Sequence, residues 1–171
     1  IVIVNKPAGI STHSPDIGKL GMAELVQRDL ASRGISKKVH VVHRLDKTTT
    51  GVLVFATSEM AAAKIFELFK NHEVKKKYHF ITASKVDFEE AEVFSQIEKI
   101  NNSYVSKECA REEANSHTVF KKIKLNAQFQ LWQAEPTSGK PHQIRLHAKD
   151  LGIPILGDSV YGGATYPHLC L

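Results

Sequence analysis

The chain is organised around residues 41–55, which read VVHRLDKTTTGVLVF. Apolar, mostly β-branched runs flank a polar segment, and this pattern predicts two buried strands joined by a short loop. Asp46 is the only acidic residue of the loop, and Arg44 and Lys47 supply positive charge beside it. Neighbouring cations favour the ionised carboxylate that a catalytic nucleophile or a charge partner requires. A turn in which Asp46 bonds its own backbone is equally consistent with this stretch alone.

The composition is that of a globular domain with a basic surface. The chain has 171 residues, 42% of them hydrophobic, and a net charge of +5, which suits one domain with a sizeable core. A basic balance favours a polyanionic partner, although solubility alone also accounts for it. Cys109 and Cys170 have neither metal nor redox spacing, and the histidines form no paired-ligand motif. We therefore expect reduced thiols, a cytoplasmic location and no metal, and no apolar run is long enough to cross a membrane.

The first half of the chain predicts short strands and two helices. The elements are strands at 1–4, 39–42 and 51–57, a turn at 5–9, a helix that includes 22–30 and ends at Gly34, and a helix from the N-cap Ser58 to Lys70. In the second helix, a face packed on the core is predicted by four apolar residues at i, i+3, i+4 and i+7, which are Ala62, Ile65, Phe66 and Phe69.

The second half predicts more strands and one helix. The elements are strands at 76–83, 118–125 and 128–135, the last two joined by a hairpin turn at 126–127, and a helix from Pro141 to about Leu151 that Gly152 ends. On this helix, His142, Arg145 and Lys149 are expected on a different face from the core residues. In residues 85–111 the apolar residues recur with neither helical nor strand spacing, and the two alternatives are an irregular hairpin and an insert that recognises the substrate. Strands outnumber helices, so one α+β domain with a mixed, largely antiparallel sheet is predicted.

Four further segments accompany the HRLD segment at 43–46. They are NKPAG at 5–9, VKKKY at 74–78, SGKPHQIRLH at 138–147, and LGIPILGD at 151–158 followed by YG at 161–162. In this order they resemble the signature of the RluA-type pseudouridine synthases, and the resemblance spans nearly the whole chain. It implies the pseudouridine synthase fold, a curved and largely antiparallel sheet with flanking helices and a central cleft. Residues 1–171 would then be its catalytic domain, which we expect to be truncated at both ends.

The resemblance also implies roles for individual residues. Asp46 would attack the nucleoside or abstract a proton, Arg145 would pair with that carboxylate, and Tyr78 would stack on the uracil and serve proton transfer. Arg44 would enter the RNA stack in place of the flipped uridine. The expected RNA-binding set is Arg44, His43, Lys75, Lys77, Lys140 and His142. The plainer alternatives are a surface arginine, a half-buried strand tyrosine and solvated lysines.

Pseudouridine formation loses no atom and changes no oxidation state, so no cofactor or metal is expected. The expected partner is ribosomal or transfer RNA, bound by a monomer that does not associate with membranes. A catalytically silent RNA-binding protein of the same fold would keep the basic residues without needing Asp46. A nucleosidase would need a second acid for general acid–base work, and the strongest motifs supply only one carboxylate.

Overall fold

A computed structural model of the chain describes residues 1–14 and 18–171. The helices are α1 (Met22–Ser32), α2 (Glu59–Lys70) and α3 (Gln143–Asp150). The strands are β1 (Val2–Lys6), β2 (His40–Val41), β3 (Gly51–Ala56), β4 (Tyr78–Thr82), β5 (Glu90–Ile100), β6 (Ser103–Glu108), β7 (Ser116–Leu125) and β8 (Gln130–Pro136). The chain divides into two compact units, residues 1–74 and 75–171. Every strand pair within the described residues is antiparallel. The predicted α+β class and antiparallel pairing are therefore confirmed, but the described strands form two sheets rather than one mixed sheet.

The first unit is built on a three-stranded sheet with the order β1-β3-β2. Successive side chains of a strand point to opposite faces, and in β3 Leu53 and Phe55 are fully buried whereas Val52 is exposed. The two apolar runs around the Asp46 loop therefore form strands, as predicted, but the leading one is not buried, since Val41 is 44% exposed. The leading strand is shorter than expected, because only His40–Val41 pairs with β3. These two strands anchor both sides of the loop.

Helix α1 ends where the sequence predicts. Gly34 adopts a positive φ of 73°, and its N–H donates to the Ala31 carbonyl while the Ile35 N–H donates to the Leu30 carbonyl (2.9 Å). This pair of bonds is the Schellman arrangement that closes a helix at glycine. The start of the helix is held by Glu24, whose carboxylate accepts the Gly21 N–H (2.9 Å).

Helix α2 begins as predicted, but its apolar stripe is narrower than expected. The Ser58 hydroxyl accepts the Ala61 N–H (3.2 Å), which confirms the predicted N-cap. Ile65 and Phe69 are half-buried, whereas Phe66 is 59% exposed, so its predicted place in the core is wrong. With 3.6 residues per turn, Phe66 lies about 100° around the helix from Ile65, at the edge of the stripe. None of the three helices is long and apolar enough to cross a membrane, within the described part of the chain.

The second unit is built on a five-stranded sheet with the order β4-β8-β7-β5-β6. Phe80, Phe120 and Trp132 are almost fully buried on one face of it. Tyr78 packs against the same cluster, two residues before Phe80 on the same face of β4. The predicted hairpin between β7 and β8 is present, with a connection over 126–129 that is longer than the predicted turn. The Asn126 carboxamide oxygen accepts the N–H groups of Gln128 (2.9 Å) and Phe129 (2.6 Å).

The segment 85–111, whose sequence shows no clear periodicity, contains a regular β-hairpin. Strands β5 and β6 pair from Ser95 to Glu108 around a two-residue turn. Asn101 and Asn102 form that turn with φ values of 45° and 66°, a conformation that matches the twist of tight hairpins and that asparagine tolerates. A hairpin is thus confirmed, while a recognition role for this segment stays a prediction.

Helix α3 begins later and lies deeper than the sequence predicts. It starts at Gln143, and His142 before it has a left-handed φ of 57°. Pro141 is therefore outside the helix, because the chain enters it through a tight turn in which the Gln143 N–H donates to the Lys140 carbonyl (3.2 Å). Residues 143–148 are all buried. Arg145, which was expected on a different face from the core residues, is therefore buried as well, whereas Lys149 is exposed.

Candidate functional site

The loop that carries Asp46 is fixed through its backbone. The Thr12 hydroxyl accepts the N–H of the buried Leu45 (3.1 Å) and donates to the Leu45 carbonyl (3.0 Å). The Thr49 N–H donates to the Asp46 carbonyl (3.1 Å). Asp46 is half-buried, and within the described residues of the first unit its carboxylate accepts no hydrogen bond. The backbone of the loop is thus fixed, and the Asp46 carboxylate does not accept a hydrogen bond from the backbone of its own turn.

Lys6, the last residue of β1, binds this loop, a contact that the sequence analysis missed. Its side chain is fully buried, and Nζ donates to the carbonyls of Pro7 (2.9 Å), Ile10 (2.9 Å) and Lys47 (3.1 Å). Burial lowers the pKa of Lys6, and the nearby negative charge of Asp46 opposes that shift. Three carbonyls match the three donors of an ammonium group. Lys6 therefore cross-links the NKPAG turn to the Asp46 loop and places a positive charge near the carboxylate.

His43 and Arg44 precede Asp46 in the same loop. His43 Nε2 accepts the Val54 N–H (2.9 Å), and the ring stacks on Phe69 with centroids 4.8 Å apart. An imidazole nitrogen that accepts a hydrogen bond is unprotonated, so this contact fixes a neutral ring against β3 and α2. Arg44 is exposed. The loop thus carries three of the predicted site residues, His43, Arg44 and Asp46, and His43 holds the loop against β3 and α2.

The basic run before Tyr78 lies outside β4, which begins at Tyr78 rather than at the predicted residue 76, but its side chains alternate in exposure. Lys75 and Lys77 are exposed, and Lys77 Nζ lies 3.4 Å from Glu135. The Lys76 ammonium instead donates to the Ser138 carbonyl, and burial lowers its pKa. Tyr78 is half-buried at the start of β4. Lys75 and Lys77 are therefore exposed to solvent whereas Lys76 is not, and their contact with RNA stays a prediction.

Gln143, which the sequence analysis passed over, holds the segment that presents Lys140. The buried carboxamide of Gln143 accepts the Lys140 N–H (3.0 Å) and the Ser138 hydroxyl (2.7 Å). It also donates to the His117 carbonyl (2.9 Å) and the Thr118 hydroxyl (3.0 Å). All four hydrogen-bonding positions of the carboxamide are used, so the exposed Lys140 extends from a rigid turn.

His142 is held by two tyrosines. Its Nδ1 lies 2.8 Å from the Tyr161 hydroxyl, and its ring meets the Tyr104 and Tyr161 rings edge-on. A non-glycine residue with positive φ is strained, and such strain persists only where the surroundings impose it. The tyrosines and the start of α3 supply that constraint here.

Arg145 forms a buried ion pair with Asp158. Its Nε donates to Asp158 Oδ2 (2.7 Å) and its Nη2 to Oδ1 (2.8 Å). The side chains are only 8% and 1% exposed. Burial by itself would raise the pKa of Asp158, but the hydrogen bonds and charge of Arg145 outweigh that effect and lower it. Asp158 thus binds the Nε and Nη2 groups of the guanidinium, and the pairing of Arg145 with Asp46 that the resemblance implies stays a prediction.

His147 fixes α3 on the sheet. Its Nε2 lies 2.8 Å from the Ser95 hydroxyl and its Nδ1 lies 2.9 Å from the Thr118 hydroxyl. Burial, together with the nearby His117, lowers the pKa of His147 to about 4. The ring is therefore neutral near pH 7, and one nitrogen donates while the other accepts. This network sets the depth and rotation of the helix that carries Arg145.

Comparisons with known proteins agree on one family. A model of the RNA pseudouridylate synthase family matches residues 1–150. A tRNA pseudouridine synthase C of Vibrio cholerae is 32% identical, over 99% of this chain and 73% of its own length. A ribosomal large subunit pseudouridine synthase C of Rickettsia bellii is 36% identical, over 95% of this chain and 54% of its own length.

A solved structure supports the same assignment. The human RNA pseudouridylate synthase domain containing 4 superposes with a TM-score of 0.70 at 27% identity, over 94% of this chain and 65% of its own. This likeness confirms the predicted pseudouridine synthase fold. The chain spans between 54% and 73% of the length of these three relatives. By its motifs, its family match and its fold, the chain belongs to the RluA-type family of RNA pseudouridine synthases.

Proposed function

We propose that the protein isomerises uridine to pseudouridine in RNA, with Asp46 as the catalytic carboxylate. In this reaction the bond from ribose C1′ to uracil N1 breaks, the base turns, and C1′ joins C5. The hydrogen of C5 leaves as a proton and N1 takes one up, so atoms and charge balance without a redox step. The observation that carries the proposal is the Asp46 loop, in which a fixed backbone presents a carboxylate with no hydrogen bond in its own unit.

The buried Lys6 makes this loop suitable for a nucleophile or base. Its ammonium bonds the carbonyl of Lys47, the residue next to Asp46. A nearby positive charge favours the ionised carboxylate, which is the reactive form in either role. Because the ammonium is already satisfied by three carbonyls, it stabilises the charge of Asp46 without needing to bond it directly.

Two further residues serve the flipped base in this proposal. Arg44 is exposed on the Asp46 loop, and its planar guanidinium can fill the space that the extruded uridine leaves. Flipping costs a few kcal/mol, which such stacking offsets. Tyr78 is half-buried with its ring at the start of β4, where an aromatic face can stack on uracil and the hydroxyl can pass a proton. Arg145 is the third proposed catalytic residue, held by Asp158.

The proposed RNA-binding residues differ in how they are held. Lys75, Lys77 and Lys140 are exposed on the second unit and suit contacts with phosphates, which bind any sequence. His43 and His142 are half-buried and fixed by neighbours. They suit contacts with a defined part of the RNA, since their rings cannot adapt freely.

We take the substrate to be ribosomal or transfer RNA, because the curated relatives are named for these two classes. The family match runs across both units, which supports residues 1–171 as parts of one catalytic domain. A monomeric, cytoplasmic enzyme fits an RNA substrate of this kind. A nucleosidase is disfavoured, because the buried carboxylate of Asp158 is held ionised and cannot act as the general acid that hydrolysis needs.

Tritium release tests the reaction directly. RNA made with uridine labelled at C5 loses its label when C1′ bonds to C5, because that hydrogen leaves to solvent. We expect release with the wild type and none with Asp46→Asn, while the affinity of Asp46→Asn for RNA stays close to that of the wild type. Binding without release by the wild type, on ribosomal and transfer RNA alike, would contradict the proposal and favour an RNA-binding protein.

A further inference from the structure

The guanidinium of Arg145 is held on an edge and on a face. Asp158 accepts from Nε and from Nη2 at 2.7 and 2.8 Å. The Tyr161 ring covers the guanidinium with its centroid 4.8 Å from the central carbon. Cation–π contact of this kind is stronger where water is excluded, and the Arg145 side chain is only 8% exposed. The plane of the guanidinium is therefore fixed by two different contacts.

The two holding residues are themselves fixed. Asp158 Oδ1 accepts the N–H groups of Val160 and Tyr161 at 3.2 Å each. The Asp158 N–H donates to the Ile155 carbonyl (3.0 Å), and its own carbonyl accepts the Gly163 N–H (2.8 Å). Gly163 is required at this point, because a Cβ there would lie 1.9 Å from the Ile155 carbonyl oxygen. The LGIPILGD and YG segments thus build a rigid support rather than a flexible loop.

We propose that Asp158 and Tyr161 are positioning residues that fix the orientation of Arg145 for catalysis. The proposal rests on the proposed function. A guanidinium has five N–H donors in one rigid plane, and Asp158 takes two of them. Holding one edge of that plane therefore sets the direction of the three donors on the other side. Neither residue touches the reacting atoms in this account; both act through Arg145.

A buried ion pair does not by itself indicate a contribution to stability. The cost of removing two charges from water can exceed the attraction between them. The ion pair is therefore better explained as a means of orienting the Arg145 guanidinium. A displacement of about 1 Å in a substrate-facing group can cost on the order of 100-fold in rate. Loss of the support should therefore reduce kcat more than it changes the KM for RNA.

The kinetic test uses variants of the intact protein on uridine-containing RNA. Asp158→Asn keeps the shape and removes the charge and one acceptor, and we expect kcat to fall on the order of 100-fold with KM changed by less than about threefold. Tyr161→Leu should also lose kcat, and Tyr161→Phe should recover most of that loss because it keeps the ring. Glu90→Gln removes an exposed ion pair of the same unit and is the matched control.

A second readout does not depend on turnover. In an NMR spectrum, the Nε–H of Arg145 is assigned by its loss in Arg145→Lys, and a buried, hydrogen-bonded N–H exchanges slowly with water. We expect slow exchange in the wild type and faster exchange in Tyr161→Leu and Asp158→Asn. If Asp158→Asn does not fold, the positioning role is tested in both assays by comparing Tyr161→Leu with Tyr161→Phe.

The outcomes separate this proposal from the proposed function. Wild-type kcat in Asp158→Asn, equal losses in the two Tyr161 variants, or a loss that falls on KM alone would overturn the positioning role. Fast exchange of the Arg145 Nε–H in the wild type would overturn it as well. If the wild type forms no pseudouridine, the proposed function fails, and slow exchange that depends on Asp158 would still show that Arg145 is held as described.

Discussion

Replacing Lys6 by methionine tests whether this buried ammonium holds the Asp46 loop. Methionine keeps the length and removes three hydrogen bonds. The Lys47 carbonyl keeps the Gly9 N–H (2.8 Å), so the carbonyls of Pro7 and Ile10 are the ones that lose a donor. At about 1 kcal/mol for each of these two carbonyls, the free energy of unfolding should fall by about 2 kcal/mol.

The assay is thermal and urea unfolding of Lys6→Met beside Lys64→Met. Lys64 is exposed on α2, so its replacement should leave stability nearly unchanged. For a chain of this size, a loss of about 2 kcal/mol lowers Tm by about 4–8 °C. Turnover of Lys6→Met should fall too, because the backbone that presents Asp46 is less well fixed. The reasoning is refuted if Lys6→Met unfolds with the Tm of Lys64→Met and turns over RNA at the wild-type rate.

Three further predictions concern the second unit. The pKa of His147 is about 4 in the folded protein and 6.5 in the unfolded chain. Between these two pH values the unfolded state binds more protons, so the free energy of unfolding falls as the pH drops from about 6.5 to about 4. The full loss is about 3 kcal/mol. His147→Gln should flatten that slope in urea unfolding at stepped pH. Lys75→Gln should lower the slope of log affinity for RNA against log salt by about 0.7 to 0.9 if it meets one phosphate, and equal slopes for Lys75→Gln and wild type would exclude that contact. Arg145→Lys should lose more than about tenfold in kcat, because an ammonium cannot reproduce the two-bond geometry with Asp158; wild-type kcat would remove Arg145 from the mechanism.

The parts of the fold that local chemistry decides could be predicted from the sequence. Ser58 begins α2 and Gly34 closes α1 because an N-cap hydroxyl and a positive-φ glycine act within one helical turn. The strand on each side of the Asp46 loop follows from a run of apolar residues alone. The order of the five motifs also predicted the family, which one motif could not have done.

The parts that depend on contacts between distant segments could not be predicted. Lys6 bonds Lys47, 41 positions away, and nothing near Lys6 in the sequence shows that its charge is buried. Arg145 has the residue type of a surface helix position, yet Asp158 satisfies its charge and makes burial possible. The helical period wrongly placed Phe66 in the core. Periodicity shows which side of a helix faces the core, but it does not show how wide the buried part of that side is.

Nucleoside analysis of RNA treated with wild type, Asp46→Asn and Asp87→Asn tests directly whether Asp46 is needed for pseudouridine formation. Asp87 is exposed, and its replacement makes the same change of charge and shape as Asp46→Asn. After digestion, pseudouridine separates from uridine by chromatography at equal mass, and free uracil is measured in the same run. We expect pseudouridine from the wild type and Asp87→Asn, none from Asp46→Asn, and no free uracil. Pseudouridine from Asp46→Asn at the wild-type rate, or free uracil from the wild type, would contradict it.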